Sequence, residues 1–433
     1  MAKLKNRHTA RLIDVWVPGN SGNNPGNYHW IKKLVILILL LVILIFLTSL
    51  WNYYDVSFKK ETPSSLVNES LITAPIIGKP GKVIWSVRAG NTPLSVTPLL
   101  DGEIVYVVTG NRPETGKIFA LDISDGSLIW ERNLYSVADH APVAAGDLLF
   151  VVIRTGELLA LDKNTGKTQW SFSSESLIRG SPVVLNGVLY LAASKVYAFD
   201  AMLGGLIWEH QVGNSVSQQV TISGDVLAVI SSDGHINLVD ISNGKRRMTF
   251  RLWFGNTKFP LSDTDTLVLA GDKGNVLAID LSEKDVPMEK AIRSWWRVLW
   301  KLDLASRPPL PRGFLWWQRD LKGLYAHTLA MDHGFAFIGV KDFGNQSRLV
   351  ALDISDGSVV WSNQFSSGLT QGTILNAGAI TVATESGDIY RLSIDKGREL
   401  WHLKHDGELS VPPVTSKGIF VIADKEGRIT ALR

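Results

Sequence analysis

ALDISDGSLIW, residues 120–130, returns almost unchanged as ALDISDGSVVW at residues 351–361. Between and beyond them lie ALDKNTGKTQW (160–170) and AFDAMLGGLIW (198–208), with weaker copies LVDISNGKRRM (238–248) and RLSIDKGRELW (391–401). The shared pattern is A-x-D-x-x-x-G-x-x-x-W. It carries Asp122, Asp162, Asp200, Asp240 and Asp353, each followed by Gly126, Gly166, Gly204, Gly244 or Gly357. Each copy reads as strand, tight turn, strand: the carboxylate caps backbone N–H groups ahead of it, and the glycine supplies the positive φ of the turn.

Working outward, each copy follows an apolar, β-rich stretch such as GDLLFVVI (146–153), GVLYLAAS (187–194) or GIFVIAD (418–424). Twelve residues after the anchor position comes Pro142, Pro182, Val220, Pro260, Thr373 or Pro413, opening the next unit. The unit is about 40 residues with four strands, the size of one propeller blade. The anchors read as Trp85, Trp130, Trp170, Trp208, Met248, Trp300, Trp361 and Trp401, which predicts an all-β, eight-bladed propeller; seven blades is the alternative count. Ile429–Arg433 looks like a third strand without its partner, and Gly81–Trp85 like an outer strand with nothing before it. Joined, they close the ring and remove an exposed edge.

Upstream of the ring, Leu34–Leu47 (LVILILLLVILIFL) has no polar side-chain atom, and the apolar character continues to Trp51. As a helix, residues 34–51 span roughly 27 Å, close to the hydrocarbon thickness of a bilayer. Trp30 precedes the run and Trp51, Tyr53 and Tyr54 close it, where amphipathic aromatics favour the interface. Residues 1–33 carry Lys3, Lys5, Arg7, Arg11, Lys32 and Lys33 against Asp14, a charge of +5 within a whole-chain net of +3. The excess on the leader predicts an uncleaved signal anchor in the inner or plasma membrane. Its disordered basic tail (1–33) lies in the cytoplasm, a tether spans 52–80, and the propeller (81–433) is in the periplasm or outside the cell. The ring itself carries about two negative charges, which argues against nucleic acid as a partner.

The tryptophan-bearing units resemble those of the pyrroloquinoline-quinone (PQQ)-like propeller superfamily, within the broader WD40/YVTN-like repeats, over residues 81–433. That resemblance implies a repeated Trp packed between neighbouring blades, and it points to two branches. One contains the quinoprotein dehydrogenases, which hold PQQ and calcium in the central channel. The other contains the periplasmic scaffold lipoprotein of the outer-membrane β-barrel assembly machinery, a ring of similar length.

The chain has no cysteine, so neither the vicinal disulfide usual in the dehydrogenase branch nor the lipid-modified cysteine of the scaffold lipoprotein is possible. The repeated carboxylates share one structural task and make a poor catalytic set. His402 and His405, three apart on a strand, face opposite ways. Thr165-Gly166-Lys167-Thr168 lacks the leading glycine of a phosphate-binding loop. No catalytic residue, cofactor or metal is expected.

The repeat spacing fails over residues 281–330, which hold Trp295, Trp296, Trp300, Trp316 and Trp317. Met288, Ile292, Trp295, Trp296, Leu299 and Leu302 recur as one helical face, with Glu289, Lys290, Arg293, Arg297 and Lys301 opposite. Such a helix can pack on the ring, lie on a bilayer or dock a partner. Trp295, Trp296, Arg293, Arg297, Trp316 and Trp317 are the candidate partner or membrane contacts. The reading is a single-pass, membrane-anchored scaffold with a protein partner in the envelope, possessing no enzymatic activity. The alternatives are a PQQ-dependent dehydrogenase or small-molecule binder, and a surface sensor or adhesion protein.

Overall fold

The computed structural model describes residues 33–35, 37 and 78–433, except 90–93, 95, 112–114, 139, 213–215, 217–219, 253–257, 264, 284–287, 307–312 and 319–320. The chain divides into two compact units, residues 61–288 with 307–433, and residues 1–60 with 289–306.

The larger unit is an all-β ring whose described strands, β1 to β32, form eight four-stranded antiparallel sheets. Strand β1 (Val83–Arg88) precedes blade one, which is β2 (Leu99–Asp101), β3 (Ile104–Asn111), β4 (Thr115–Asp122) and β5 (Leu128–Leu134). Blades two, three and four run from β6 (Val143–Ala145) to β9 (Thr168–Ser173), β10 (Val183–Leu185) to β13 (Leu206–His210) and β14 (Thr221–Ser223) to β17 (Arg246–Arg251). Blade five is β18 (Lys258–Asp263), β19 (Thr266–Ala270), β20 (Val276–Asp280) and β21 (Phe314–Gln318). Blades six and seven run from β22 (Tyr325–Asp332) to β25 (Val359–Phe365) and β26 (Ile374–Asn376) to β29 (Glu399–Lys404). Blade eight is β30 (Val414–Ser416), β31 (Ile419–Ala423), β32 (Arg428–Leu432) and, outermost, β1.

The first strands of neighbouring blades touch one another, β2 with β6 and β30, and β18 with β14 and β22, so they form the innermost layer. The next strands are mostly apolar; Leu148–Ile153 is apolar and buried at every position. Both of their faces pack on neighbouring blades, which removes the alternation of a half-exposed strand. One cluster combines Tyr106, Ile118 and Trp130 of blade one with Leu149, Val151 and Leu159 of blade two. The core is thus a series of layers between blades.

Each layer is clasped by the repeat motif. In blade one, Asp122 Oδ1 accepts hydrogen bonds from Ser124 N–H (2.8 Å) and Oγ–H (2.6 Å). Gly126 takes φ +74° and lies so close to the indole of Trp85 that an added Cβ would sit 2.8 Å from it. The same indole donates from Nε1 to the carbonyl of Ile123. Trp130 does this to Lys163, Trp170 to Ala201, Trp208 to Ile241 and Trp361 to Ile394. Trp401 is buried and meets Phe420 of blade eight edge to face, with centroids 5.9 Å apart. At these Nε1-bonded junctions the motif couples a blade to the next, with the Trp from one and the Asp–Gly turn from the other.

Blade five requires a correction. Its anchor is Trp316, not Trp300: Trp316 pairs with Ala278 as Trp130 pairs with Ala120, and its Nε1 donates to Ile354 O at 2.5 Å. Trp300 lies on a helix and is partly exposed. The reason is that the extra residues are inserted within the Asp–Gly turn itself, between Ser282 and Gly313. Asp280 still caps Ser282, Leu281 N–H still donates to Asp265 O, and Asp280 N–H donates to Gly313 O at 2.7 Å. These bonds repeat those of Asp122 and Ile123 in blade one, so the hairpin is intact on either side of the excursion. Met248 holds the anchor position of blade four, paired with Leu238, and Phe250 beside it meets Phe314 edge to face.

The ends of the ring meet as the sequence predicts. Val83 pairs with Leu432 and Trp85 with Ala431, while Arg433 N–H donates to Lys82 O at 3.0 Å.

Of the proposed anchor 34–51, only residues 34, 35 and 37 are among those described, and they are helical; the rest, with the tail and most of the linker, lies outside them. Among the described residues no helix is long and apolar enough to cross a membrane.

Candidate functional site

The excursion from blade five contains helix α1, Glu289–Lys301, with an acidic residue in its first turn and a basic one in its last, both favourable to the helix dipole. It ends in a Schellman motif: Leu304 N–H donates to Leu299 O at 2.9 Å and Asp303 N–H to Trp300 O at 3.0 Å. Asp303 takes φ +57°, a conformation that short polar side chains tolerate.

The helix buries only part of its apolar arc. Ile292 and Trp296 are buried, and the Trp296 indole donates to Ser306 O at 2.9 Å, drawing the chain after the helix back against it. Next to them around the helix, Trp295 is 62% exposed, and Val298, Leu299 and Leu302 are exposed as well. Leu304, just past the helix, is 73% exposed. Arg297 and Lys301 are exposed on the opposite side, and Arg293 is half-buried with Nη1 enclosed and unbonded.

The six candidate contacts therefore separate. Trp295, Arg293 and Arg297 lie on α1 with surface available, whereas Trp296 is an internal tether. Trp316 is a buried blade anchor, which its position in β21 decides. Trp317 is the next residue of β21, and its side chain lies outside the described set. Val298 and Leu304 were missed as surface residues. Val298 has the helical periodicity of the exposed arc, while Leu304 lies beyond the helix end and is legible only once the Schellman turn is seen.

The motif carboxylates of the ring serve its turns. Asp240 is held down at about 2, first by its hydrogen bond from Ser242 and then by Arg247. Asp162 is likewise lowered by the Thr165 hydroxyl. Thr165-Gly166-Lys167-Thr168 is thus the blade-two turn, with Thr165 N–H donating to Asp162. His402 pairs with Asp388 at 3.0 Å and stacks on Tyr390, while His405 lies 3.6 Å from the buried Asp424. Among the described residues no three His, Asp or Glu side chains gather to hold a metal ion. The motif carboxylates are engaged in turns between the third and fourth strands of their blades, away from the innermost layer. They do not fit a calcium–PQQ site in a central channel.

Three comparisons place the chain among known proteins. A family model, PQQ_2, described as outer membrane protein assembly factor BamB, matches residues 76–287 and 297–433. The gap between the two matched stretches, 288–296, falls on α1. Outer membrane protein assembly factor BamB of Moranella endobia is 23% identical over 277 residues, covering 56% of this chain and 69% of that protein. The factor of the same name from Yersinia pestis is 23% identical over 252 residues, covering 55% and 57%. Among solved structures, BamB from Moraxella catarrhalis matches with TM-score 0.57 at 15% identity, over 81% of this chain and 99% of that one. The quinohemoprotein alcohol dehydrogenase ADHIIG from Pseudomonas putida HK5 matches with TM-score 0.59 at 14% identity, over 81% and 76%. At such identities the structural likenesses show the fold alone. The family match, which spans most of the chain on both sides of the insertion, shows more: this protein belongs to the PQQ_2 family of β-propellers, the family described as outer membrane protein assembly factor BamB.

Proposed function

We propose that this chain is a membrane-attached, extracytoplasmic propeller that binds a protein partner and serves as a scaffold in outer-membrane protein assembly, without catalysing a reaction. The observation that carries this reading is the family match over residues 76–287 and 297–433. The attachment is a single pass through residues 34–51, whose apolar length and basic N-terminal flank support an inner-membrane anchor with the ring outside the cytoplasm. It replaces the lipid-modified cysteine that a chain without cysteine cannot supply.

Partner contacts fall on the loops of the ring. Phe343, 78% exposed between the second and third strands of blade six, and Leu203, 81% exposed at the outer turn of blade three, are the apolar tips to probe. A photocrosslinking amino acid placed at each, activated in intact membranes and followed by mass spectrometry, tests the reading. A stoichiometric envelope protein attached at either tip supports it; no protein attached at these or other ring positions overturns it. A quinoprotein reading draws on fold likeness alone, and titration with PQQ and calcium while following dye reduction separates it from the scaffold.

A further inference from the structure

We propose that the exposed face of α1 lies on an anionic phospholipid surface, making the blade-five excursion a second membrane contact that the ring itself does not need. Four observations converge. First, the excursion leaves and re-enters a hairpin that closes without it, with Asp280 N–H donating to Gly313 O and Leu281 N–H to Asp265 O. Second, Trp295, Val298, Leu299 and Leu302 form a continuous exposed apolar strip beside the buried Ile292 and Trp296, and Leu304 extends it past the helix end. A short helix in water gains nothing from such a strip, whereas an interfacial helix buries it among acyl chains.

Third, the charge is one-sided. Arg293, Arg297 and Lys301 occupy the polar side with no acidic residue among them, and Glu289 at the helix start is buried. Cationic side chains flanking an apolar strip, with Trp within it, suit phosphate headgroups above and hydrocarbon below. A docked protein would need its own acidic, apolar groove to match both features; an anionic bilayer supplies both anywhere on its surface. Fourth, the same chain carries the apolar run Leu34–Leu47, which under the proposed function holds this protein at a bilayer.

The absence of native cysteine makes the test direct. Single Trp295→Cys, Leu299→Cys and Leu302→Cys variants of the full chain carry a nitroxide label and are reconstituted into vesicles of phosphatidylethanolamine and phosphatidylglycerol. Ser294→Cys, Arg297→Cys and Phe343→Cys serve as polar-face and ring controls. All these positions except Ser294 and Arg297 lie outside the charged side, and none is buried, so folding is retained. The expected result is several-fold higher collision with oxygen than with a water-soluble nickel reagent at 295, 299 and 302, and the reverse at 294, 297 and 343. Exchanging phosphatidylglycerol for phosphatidylcholine, or raising salt, should weaken the contrast. Water-like accessibility at all six positions overturns the proposal. So does protection at 295, 299 and 302 from both reagents in pure lipid, which would mean that the chain's own residues cover the strip. Protection that appears only in native membranes, and not in pure lipid, also overturns it and assigns the strip to a protein. Because the assay contains no partner, its failure leaves the scaffold reading to stand or fall on its own crosslinking test.

Discussion

The indole N–H of Trp85 donates to the carbonyl oxygen of Ile123 at 2.8 Å, while the ring of the same Trp85 fills the space that a side chain at Gly126 would need. One residue of blade eight thus reads both halves of the blade-one turn, the carbonyl after the aspartate and the missing Cβ of the glycine. Gly126→Ala must both hold alanine at φ +74° and displace the indole, so it should cost about 2–4 kcal/mol. Gly102→Ala, at φ +61° with nothing within 4 Å, isolates the backbone strain and should cost about 1 kcal/mol. Denaturant midpoints of the two variants measure the difference; equal losses would mean that the indole is not the obstacle.

The reassignment of the blade-five anchor is equally open to measurement. Trp316→Ala removes a buried indole and its hydrogen bond and should lower stability by about 3–5 kcal/mol. Trp300→Ala should change it by under about 1 kcal/mol, since the side chain is 41% exposed on a helix outside the blade. The opposite ranking would return the anchor role to Trp300.

If the excursion is hosted by an intact turn, it can be removed. Replacing residues 282–312 with Ser-Asp-Gly, the turn of blade one, should leave the melting transition cooperative and within about 1–2 kcal/mol of the parent. Circular dichroism and a thermal scan check this. A chain that loses its β signature would show that the excursion supports blade five after all.

Asp240 accepts from Ser242 and pairs with Arg247, which also holds Asp225. Its folded-state pKa is lowered to about 2, below the usual value of 3.8, so its contribution is present above about pH 4 and lost as pH falls toward 2. Asp240→Asn should therefore reduce stability at pH 7 by about 1 kcal/mol and flatten the decline between pH 4 and 2. Denaturation midpoints across that window read both; a variant that tracks the parent at every pH would remove the carboxylate from the stability of the turn.

How much of this was legible beforehand differs from element to element. The repeat exposed the ring because Asp, Gly and Trp each perform a local task that no other residue type does as well, and they recur at fixed spacing. Even the Met248 substitution was readable from its distance to Pro260. The closure was visible because two half-motifs at Gly81–Trp85 and Ile429–Arg433 complete one another. Blade five was misread because its insertion enters inside the motif, between Asp280 and Gly313, where the spacing itself is the signal. A helix that carries Trp300 then offers a false anchor sixteen residues before the true one. On that helix, periodicity shows which side chains share a face but not where along the arc burial stops. That boundary depends on what Ile292 and Trp296 pack against, and no helical wheel contains it.

The bond between Ser86 and Thr430 joins residues 344 positions apart. During biosynthesis, β1 is made first and has to wait, unpaired, until all the intervening blades have been delivered. Its exposed N–H and C=O groups and its Trp85 side chain are then available to anything that binds extended segments. Closure of the ring therefore requires β1 and β32 together, and burial of the Trp85 indole, which needs both β32 and the blade-one turn, is a natural reporter of it.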